Sequence, residues 1–216
     1  HGDIDTLYEH VQNRGGLVHG HHSDWNLSGH AVEANIEACS SWDPYLEIDP
    51  GPFHRELRRG NKIGLIGGSD EHRRNPGLGG ALTGIWAKDL TVECIIEALK
   101  NHRCYATMGR KVTLDFRIND QPMGSAFTGK LCVITVSADS PVPIEAVELY
   151  EDGEIIHTWN PGEQIAAVDL EYLVPKGCHS YYVKLILDGP LHRGYPSNIQ
   201  PMRGARVWSS PIWGES

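Results

Sequence analysis

Apolar residues in the first half of the chain switch between helical and extended spacing. Four apolar positions on one helical face follow Asp3, a suitable N-cap, and predict a helix that stops at Gly15-Gly16. Further helices are predicted over residues 52–59 and after Thr91. Short apolar runs predict three buried strands, at residues 17–18, 36–42 and 63–66. Strands that alternate with helices in this way are typical of an α/β segment.

After about Gly109 the apolar residues recur at every second position instead. Runs of this kind cover residues 112–118, 132–136 and 181–187, and they predict strands with one buried face. The dipeptide Asp152-Gly153 predicts a tight hairpin turn, because both residues tolerate a positive φ angle. The predicted fold class is therefore α/β followed by all-β, with an α/β segment at residues 1–109 and an antiparallel β-sandwich at residues 110–216.

Composition and charge narrow the classes of partner. The 216 residues carry 19 Lys and Arg against 28 Asp and Glu, which gives a formal net charge of −9. Nucleic-acid affinity comes largely from basic side chains, so we expect no nucleic-acid partner. No apolar run approaches the roughly 18 residues that a membrane span needs, so we expect no membrane partner. Five scattered cysteines without a C-x-x-C motif argue against a disulfide framework and favour a reducing compartment such as the cytoplasm.

Candidate site residues are concentrated where two of the predicted strands end. Three histidines follow the first strand, and an aspartate and a histidine follow the third; these residues are His19, His21, His22, Asp70 and His72. Side chains two positions apart in an extended chain point to the same side, which pairs His19 with His21 and Asp70 with His72. If the chain turns, His22 takes the place of His21. The carboxyl ends of parallel strands are where α/β proteins place ligands.

Imidazole and carboxylate groups together predict a divalent metal at these strand ends. Such ligands suit Zn²⁺, Mn²⁺ or Fe²⁺. A metal ion held there would lower the pKa of a bound water and supply a hydroxide nucleophile near neutral pH. In this interpretation Asp70 and His72 are the candidate catalytic residues as well as metal ligands. Taken one at a time, each of these side chains also fits an ordinary surface or capping role.

Several segments share the pattern of one known family. Gly-Ser-Asp-Glu-His lies at residues 68–72, Arg-Cys-Tyr-Ala-Thr-Met-Gly at residues 103–109, and Trp-Ser-Ser-Pro-Ile-Trp at residues 208–213. Shorter pieces lie at residues 21–22, 37, 40–42, 90–91, 98–99, 116–119 and 122–124. Together they resemble the C-terminal part of the PHP-domain metallohydrolases, the polymerase and histidinol phosphatase family, in its carbaryl-hydrolase-like branch.

The resemblance implies a distorted β/α barrel that holds up to three metal ions through His, Asp and Glu. It makes Asp70 and His72 the last metal ligands and His21 an earlier one, with His22 as the alternative to His21 and His19 as a further candidate. The family begins with a His-x-His pair on the first barrel strand, ahead of the position that His19 occupies, and no such pair precedes His19 in this sequence. The resemblance therefore implies only the C-terminal part of a PHP-like barrel. In that case the N-terminal half of the barrel would be supplied by a partner chain or by another part of a longer protein.

Two classes of function follow from these observations. The first is part of a metal-dependent hydrolase that cleaves ester, phosphoester or carbamate bonds in a small-molecule substrate through a metal-activated water. The alternative is a non-catalytic binding module whose β-sandwich contacts carbohydrate or protein. A third interpretation is a structural metal site that only holds the loops together. Elemental analysis of the native protein and of Asp70→Ala distinguishes the first interpretation from the alternative. The absence of stoichiometric metal, with no effect of Asp70→Ala, would favour the binding module.

Overall fold

The helices form where the sequence places caps and apolar faces. The structure, a computed structural model, describes residues 3–21, 25–70, 72, 80–191 and 204–216. The helices in these ranges are α1 (Ile4–Asn13), α2 (Tyr45–Ile48), α3 (Gly51–Arg58) and α4 (Val92–Lys100). Asp3 caps α1 by accepting a hydrogen bond from the backbone N–H of Asp5 at 3.3 Å, and Thr91 caps α4 by accepting one from Cys94 at 3.3 Å. The three helices predicted from the sequence are confirmed.

A small parallel sheet lies in the N-terminal part of the chain. It contains β1 (Val18–Gly20), β2 (Glu33–Cys39) and β3 (Gly64–Gly67), in the order β1-β2-β3, and both pairings are parallel. The central strand is almost entirely buried, and Ile36 and Leu65 are fully excluded from solvent. The three predicted strands are confirmed at nearly their predicted positions, except that the second begins at Glu33 and ends at Cys39 instead of spanning residues 36–42. Because the three strands are parallel, their carboxyl ends lie on one side of this sheet.

Most of the remaining chain forms two antiparallel sheets. The strands are β4 (Leu82–Ile85), β5 (Cys104–Thr107), β6 (Thr113–Ile118), β7 (Gln121–Pro122), β8 (Ala126–Thr128), β9 (Leu131–Asp139), β10 (Ile144–Glu151), β11 (Glu154–Trp159), β12 (Ile165–Leu173), β13 (Cys178–Leu187), β14 (Arg206–Ser209) and β15 (Ile212–Glu215). The larger sheet has the order β11-β10-β13-β14-β5-β4, with β15 paired to β13 and to β8. The smaller sheet has the order β12-β9-β6-β7.

The two antiparallel sheets pack as a β-sandwich because their strands have one apolar face. On β9, Cys132, Ile134 and Val136 are buried, whereas Leu131 before them and Val133 between them are exposed. The hairpin predicted at residues 152–153 joins β10 to β11, with both residues at positive φ angles of 51° and 94°. The alternation that predicted the β-sandwich is thus confirmed by the strand pairing.

The parallel sheet and the β-sandwich share one hydrophobic core. A single cluster of buried side chains contains Ile36 and Phe53 from the N-terminal part together with Phe116 and Leu185 from the sandwich. The strands β4 and β5 precede residue 109, yet β5 pairs with β14 in the larger antiparallel sheet. A domain boundary at residue 109, between segments 1–109 and 110–216, stays a prediction.

The predicted fold class is wrong. Strands are the commonest regular element among the described residues, most of the strands form a sandwich, and no closed barrel of strands and helices is present in these ranges. The three parallel strands form an open sheet instead of part of a β/α barrel. Regular apolar spacing predicted strands such as β6, β9 and β13, but it did not predict β4 or β5. Apolar spacing also does not specify which strands pair, and β4 and β5 belong to the larger antiparallel sheet.

Candidate functional site

Four of the five predicted site residues are described, and they lie at the carboxyl ends of the parallel strands. His19 is an exposed residue of β1, and His21 follows that strand directly. Asp70 and His72 follow β3. His22 lies outside the described residues. The prediction that the first and third strands bring their site residues to the same edge of the sheet agrees with the order β1-β2-β3.

The histidine from the first strand end pairs with a carboxylate that the sequence pattern did not single out. Nδ1 of His21 lies 2.7 Å from Oε2 of Glu37, a buried residue of β2. Gly68 makes room for this carboxylate, because a Cβ atom at that position would lie 2.1 Å from Oε1 of Glu37. An acidic residue inside an otherwise apolar strand is a detectable signal, since a buried charge needs a partner.

A second imidazole–carboxylate pair forms at the end of β3. Nε2 of His72 lies 3.0 Å from Oδ1 of Asp70, and Asp70 has a left-handed backbone conformation with φ of 45°. The indole N–H of Trp42 donates a hydrogen bond to the carbonyl oxygen of Asp70 at 2.9 Å, and the Trp42 and His72 rings lie edge to face at 5.6 Å. Trp42 therefore holds the loop that carries this pair.

Tyr45 lies close to the carboxylates of both pairs. Its hydroxyl is 3.0 Å from Oγ of Ser40. Burial raises the pKa of Tyr45, the hydrogen bond with Ser40 opposes this shift, and the charges of Glu37, Asp43 and Asp70 raise the pKa further. The carboxylates of Glu37 and Asp70 are thus near enough to the same hydroxyl for it to respond to both charges.

The prediction that this chain is a metal-binding protein is wrong for the part that the structure describes. Within the described ranges, no group of three or more His, Cys, Asp or Glu side chains is arranged to hold a metal ion. The residues separate into two imidazole–carboxylate pairs instead of forming one ligand set. The individual roles assigned to His19, His21, Asp70 and His72, the use of Zn²⁺, Mn²⁺ or Fe²⁺, and hydrolysis itself stay predictions.

A second candidate site is a cleft of about 800 Å³ between the α3–β3 segment and one end of the β-sandwich. Its lining comes from segments that are far apart in the sequence. The residues that matter most for its chemistry are Arg58, Lys62, Asn119, Gln121, Phe127, Asp152, His179, Trp213 and Glu215. Sequence reasoning did not find this cleft, because no local motif joins these positions.

The aromatic part of the cleft is centred on Trp213. Nζ of Lys62 lies 5.6 Å from the centre of the Trp213 ring, within the range of a cation–π contact. On another side, the ring of His102 meets the indole edge to face at 5.7 Å. The indole Nε1 atom is buried and, among the described residues, has no hydrogen-bond acceptor.

The polar part of the cleft is held in place by hydrogen bonds. Oδ2 of Asp152 accepts a hydrogen bond from Nδ1 of His179 at 2.8 Å, and its Oδ1 accepts bonds from the backbone N–H and the hydroxyl of Ser180 at 2.8 and 2.9 Å. Oδ1 of Asn119 accepts a hydrogen bond from the backbone N–H of Val133 at 2.8 Å. These bonds fix the side chains before any ligand arrives, which lowers the entropy cost of binding.

Comparison with known proteins identifies relatives of unknown function. No family model matches the chain. An uncharacterized protein of Chlamydia trachomatis serovar D is 25% identical in a 191-residue alignment that covers 77% of this chain and 29% of that protein. An uncharacterized protein of Chlamydia pneumoniae is 29% identical in a 202-residue alignment that covers 82% of this chain and 30% of that protein. The chain therefore spans about three tenths of the length of the curated relatives it matches.

Two solved structures align with about half of this chain at low TM-scores. The fibronectin(III)-like modules of Clostridium thermocellum CbhA match 48% of this chain and 96% of their own, at 20% identity and a TM-score of 0.30. The CARDB domain of the Pyrococcus furiosus PF1109 protein, a complex with di-metal ions, matches 48% and 88% at 9% identity and a TM-score of 0.29. Likenesses at such TM-scores carry no argument about function.

The resemblance to the PHP-domain metallohydrolases is wrong. No model of that family or of any other matches, the described strands form an open parallel sheet and a sandwich instead of a barrel, and the described residues contain no group of metal ligands. The matching sequence pieces were short, and glycine, histidine and aspartate are common at strand ends in unrelated proteins for conformational reasons. No helix in the described ranges is long and apolar enough to cross a membrane. The chain is similar to uncharacterized Chlamydia proteins and to small β-sandwich modules.

Proposed function

We propose that this chain is a non-catalytic carbohydrate-binding module and that its ligand lies in the 800 Å³ cleft at the end of the β-sandwich. The observation that carries the proposal is the composition of that cleft. An indole and a phenyl ring line the same concavity as amide, carboxyl, imidazole and basic side chains, and several of the polar groups are fixed by hydrogen bonds.

The size and shape of the cleft favour a small ligand over a protein partner. Ligand pockets enclose on the order of 300–1,000 Å³, whereas a stable protein–protein interface buries roughly 1,600 Å² over a broad surface. The cleft lies within the first range. A short oligosaccharide fits such an open concavity better than the surface of a folded protein does.

The lining matches the two kinds of surface that a sugar presents. The C–H face of a pyranose is apolar and packs on aromatic rings, for which the partly exposed indole of Trp213 is available. Its hydroxyl groups are donors and acceptors at once, and side chains such as those of Gln121, Asp152 and His179 supply the complementary groups. A purely apolar or a purely ionic ligand would use only part of this lining.

The proposal is tested by isothermal titration calorimetry with β-1,4-linked hexasaccharides of glucose, xylose, mannose and mannuronate. We expect at least one of them to bind, and we expect Trp213→Ala to weaken that binding about tenfold or more, which corresponds to about 1.4 kcal/mol. Gln121→Ala, at an exposed cleft position, is expected to weaken binding without affecting the fold.

Trp86→Ala is the matched control, because Trp86 is 41% exposed and lies outside the cleft. Circular dichroism spectra and melting temperatures show whether each variant is folded. The proposal is overturned if none of the four sugars binds. It is also overturned if Trp86→Ala and Gln121→Ala weaken binding equally while both remain folded.

A further inference from the structure

We propose that the cleft selects acidic oligosaccharides, with the carboxylate of a uronate residue held by Lys62 and Arg58. This inference rests on the proposed carbohydrate-binding function and adds the class of sugar. It starts from the charges along the α3–β3 segment, which forms one wall of the cleft.

The basic residues of this segment differ in whether a carboxylate neutralises them. Nη1 of Arg59 lies 2.8 Å from Oε1 of the fully buried Glu56, and Nε of Arg55 lies 3.4 Å from the same oxygen. Arg58 and Lys62 are both exposed, both line the cleft, and neither forms an ion pair with a described residue. In a chain with a net charge of −9, two uncompensated cations on one wall form a local anion-binding surface.

The acidic residues of the cleft, Asp152 and Glu215, belong to the β-sandwich and not to the α3–β3 segment. Both carboxylate oxygens of Asp152 already accept hydrogen bonds, from His179 and from Ser180. Glu215 is exposed at the end of β15. The unpaired basic groups of the cleft therefore lie on the wall formed by the α3–β3 segment, whereas its two carboxylates lie on the β-sandwich side, so a uronate carboxylate would be attracted to the first wall and repelled by the second.

The positions of Lys62 and Trp213 specify where the acidic group would lie. The ammonium group of Lys62 is 5.6 Å from the centre of the indole, so a sugar ring beside that indole would have its substituents within reach of the lysine. Lys62 also lines a neighbouring cavity of about 340 Å³ on the far side of the same segment. Its side chain stands between the two cavities, and the exposed stem can turn toward an anion without a change in the backbone.

A pair of matched sugars tests this inference. Mannohexaose and hexamannuronate share the β-1,4-linked backbone and differ in the carboxylate at C6. We expect hexamannuronate to bind at least tenfold more tightly in 50 mM NaCl, and we expect the ratio to fall at 500 mM NaCl because salt screens exposed charges. Lys62→Gln and Arg58→Gln are each expected to reduce the affinity for hexamannuronate severalfold and to lower the ratio of the two affinities toward one.

Lys88→Gln is the control, because Lys88 is an exposed lysine that does not line the cleft. The inference is overturned if mannohexaose binds as tightly as hexamannuronate, or if Lys62→Gln weakens binding no more than Lys88→Gln does. In both of those cases the sugar-binding function survives. If no sugar binds at all, the proposed function fails together with this inference.

Discussion

His102 predicts a loss of stability in mild acid that can be measured directly. The residue follows α4 with a positive φ angle of 55°, and its Nδ1 atom is buried without a hydrogen-bond partner among the described residues. Burial lowers the pKa of His102 from 6.5 to about 4; the hydrogen bond with the Ala34 backbone opposes this shift, and the charge of Lys62 adds to it. The folded protein therefore keeps His102 neutral at pH values where the unfolded chain protonates it.

The sign and size of the effect follow from this difference in pKa. Above pH 6.5 neither state binds the proton, so the stability contributed by the neutral histidine is fully present. As the pH falls from 6.5 toward 4, only the unfolded state gains a proton, and the free energy of unfolding decreases. Between pH 7 and pH 5 the loss from His102 alone amounts to about 2 kcal/mol.

Urea unfolding at pH 7 and pH 5 measures this loss when the native protein is compared with His102→Asn. Asparagine tolerates the left-handed backbone conformation and does not titrate, so the variant isolates the imidazole. We expect the decrease in unfolding free energy between the two pH values to be about 2 kcal/mol smaller in the variant. The remaining decrease includes His54, whose pKa burial also lowers. Equal decreases in the two proteins would refute the reasoning.

Three further predictions concern packing and charge. Phe116→Ala should lower the free energy of unfolding by about 3–5 kcal/mol, because Phe116 is fully buried. Val133→Ala, at a 42% exposed position, should change that free energy by less than about 1 kcal/mol, and urea denaturation measures both variants. Glu47→Ala should lower the free energy of unfolding by about 1–3 kcal/mol, because it removes the carboxylate that contacts Arg206 at 3.1 Å. A melting temperature within about 1 °C of the native value would contradict this stabilising role. Gly64→Ala should destabilise the parallel sheet by about 1–3 kcal/mol, because the new Cβ would lie 2.1 Å from Oδ1 of Asn35; an unchanged unfolding midpoint would show that the sheet adapts without cost.

Individual strands and helices could be predicted from the sequence wherever the spacing of apolar residues was regular. The alternation at residues 132–136 corresponds to β9, and the dipeptide Asp152-Gly153 forms the predicted hairpin turn. Asp3 and Thr91 cap helices, as their side chains predict. These features depend on interactions between residues that are close in the sequence, so local patterns are sufficient to predict them.

The candidate sites could be predicted from the sequence only in part. The strand-end positions of His21 and Asp70 were predicted from two short apolar runs, but the pairing of His21 with Glu37 depends on β1 and β2 being neighbours. The metal-ligand group was an error, because spacing within each segment does not determine the distances between segments. The cleft around Trp213 had no local signal at all.

The sequence by itself determined the helices and strands with regular apolar spacing, such as α1, α4 and β9, the turn at Asp152-Gly153, and the antiparallel sandwich of the second half. Only the tertiary structure decided that β4 and β5 pair with that sandwich, that no barrel is present in the described ranges, and that Lys62, Asp152 and Trp213 line one cleft. The periodicity of apolar residues shows which side chains of a segment face the core and which face the solvent. The pairing of segments far apart in the chain depends on how those surfaces fit together, which no local pattern records.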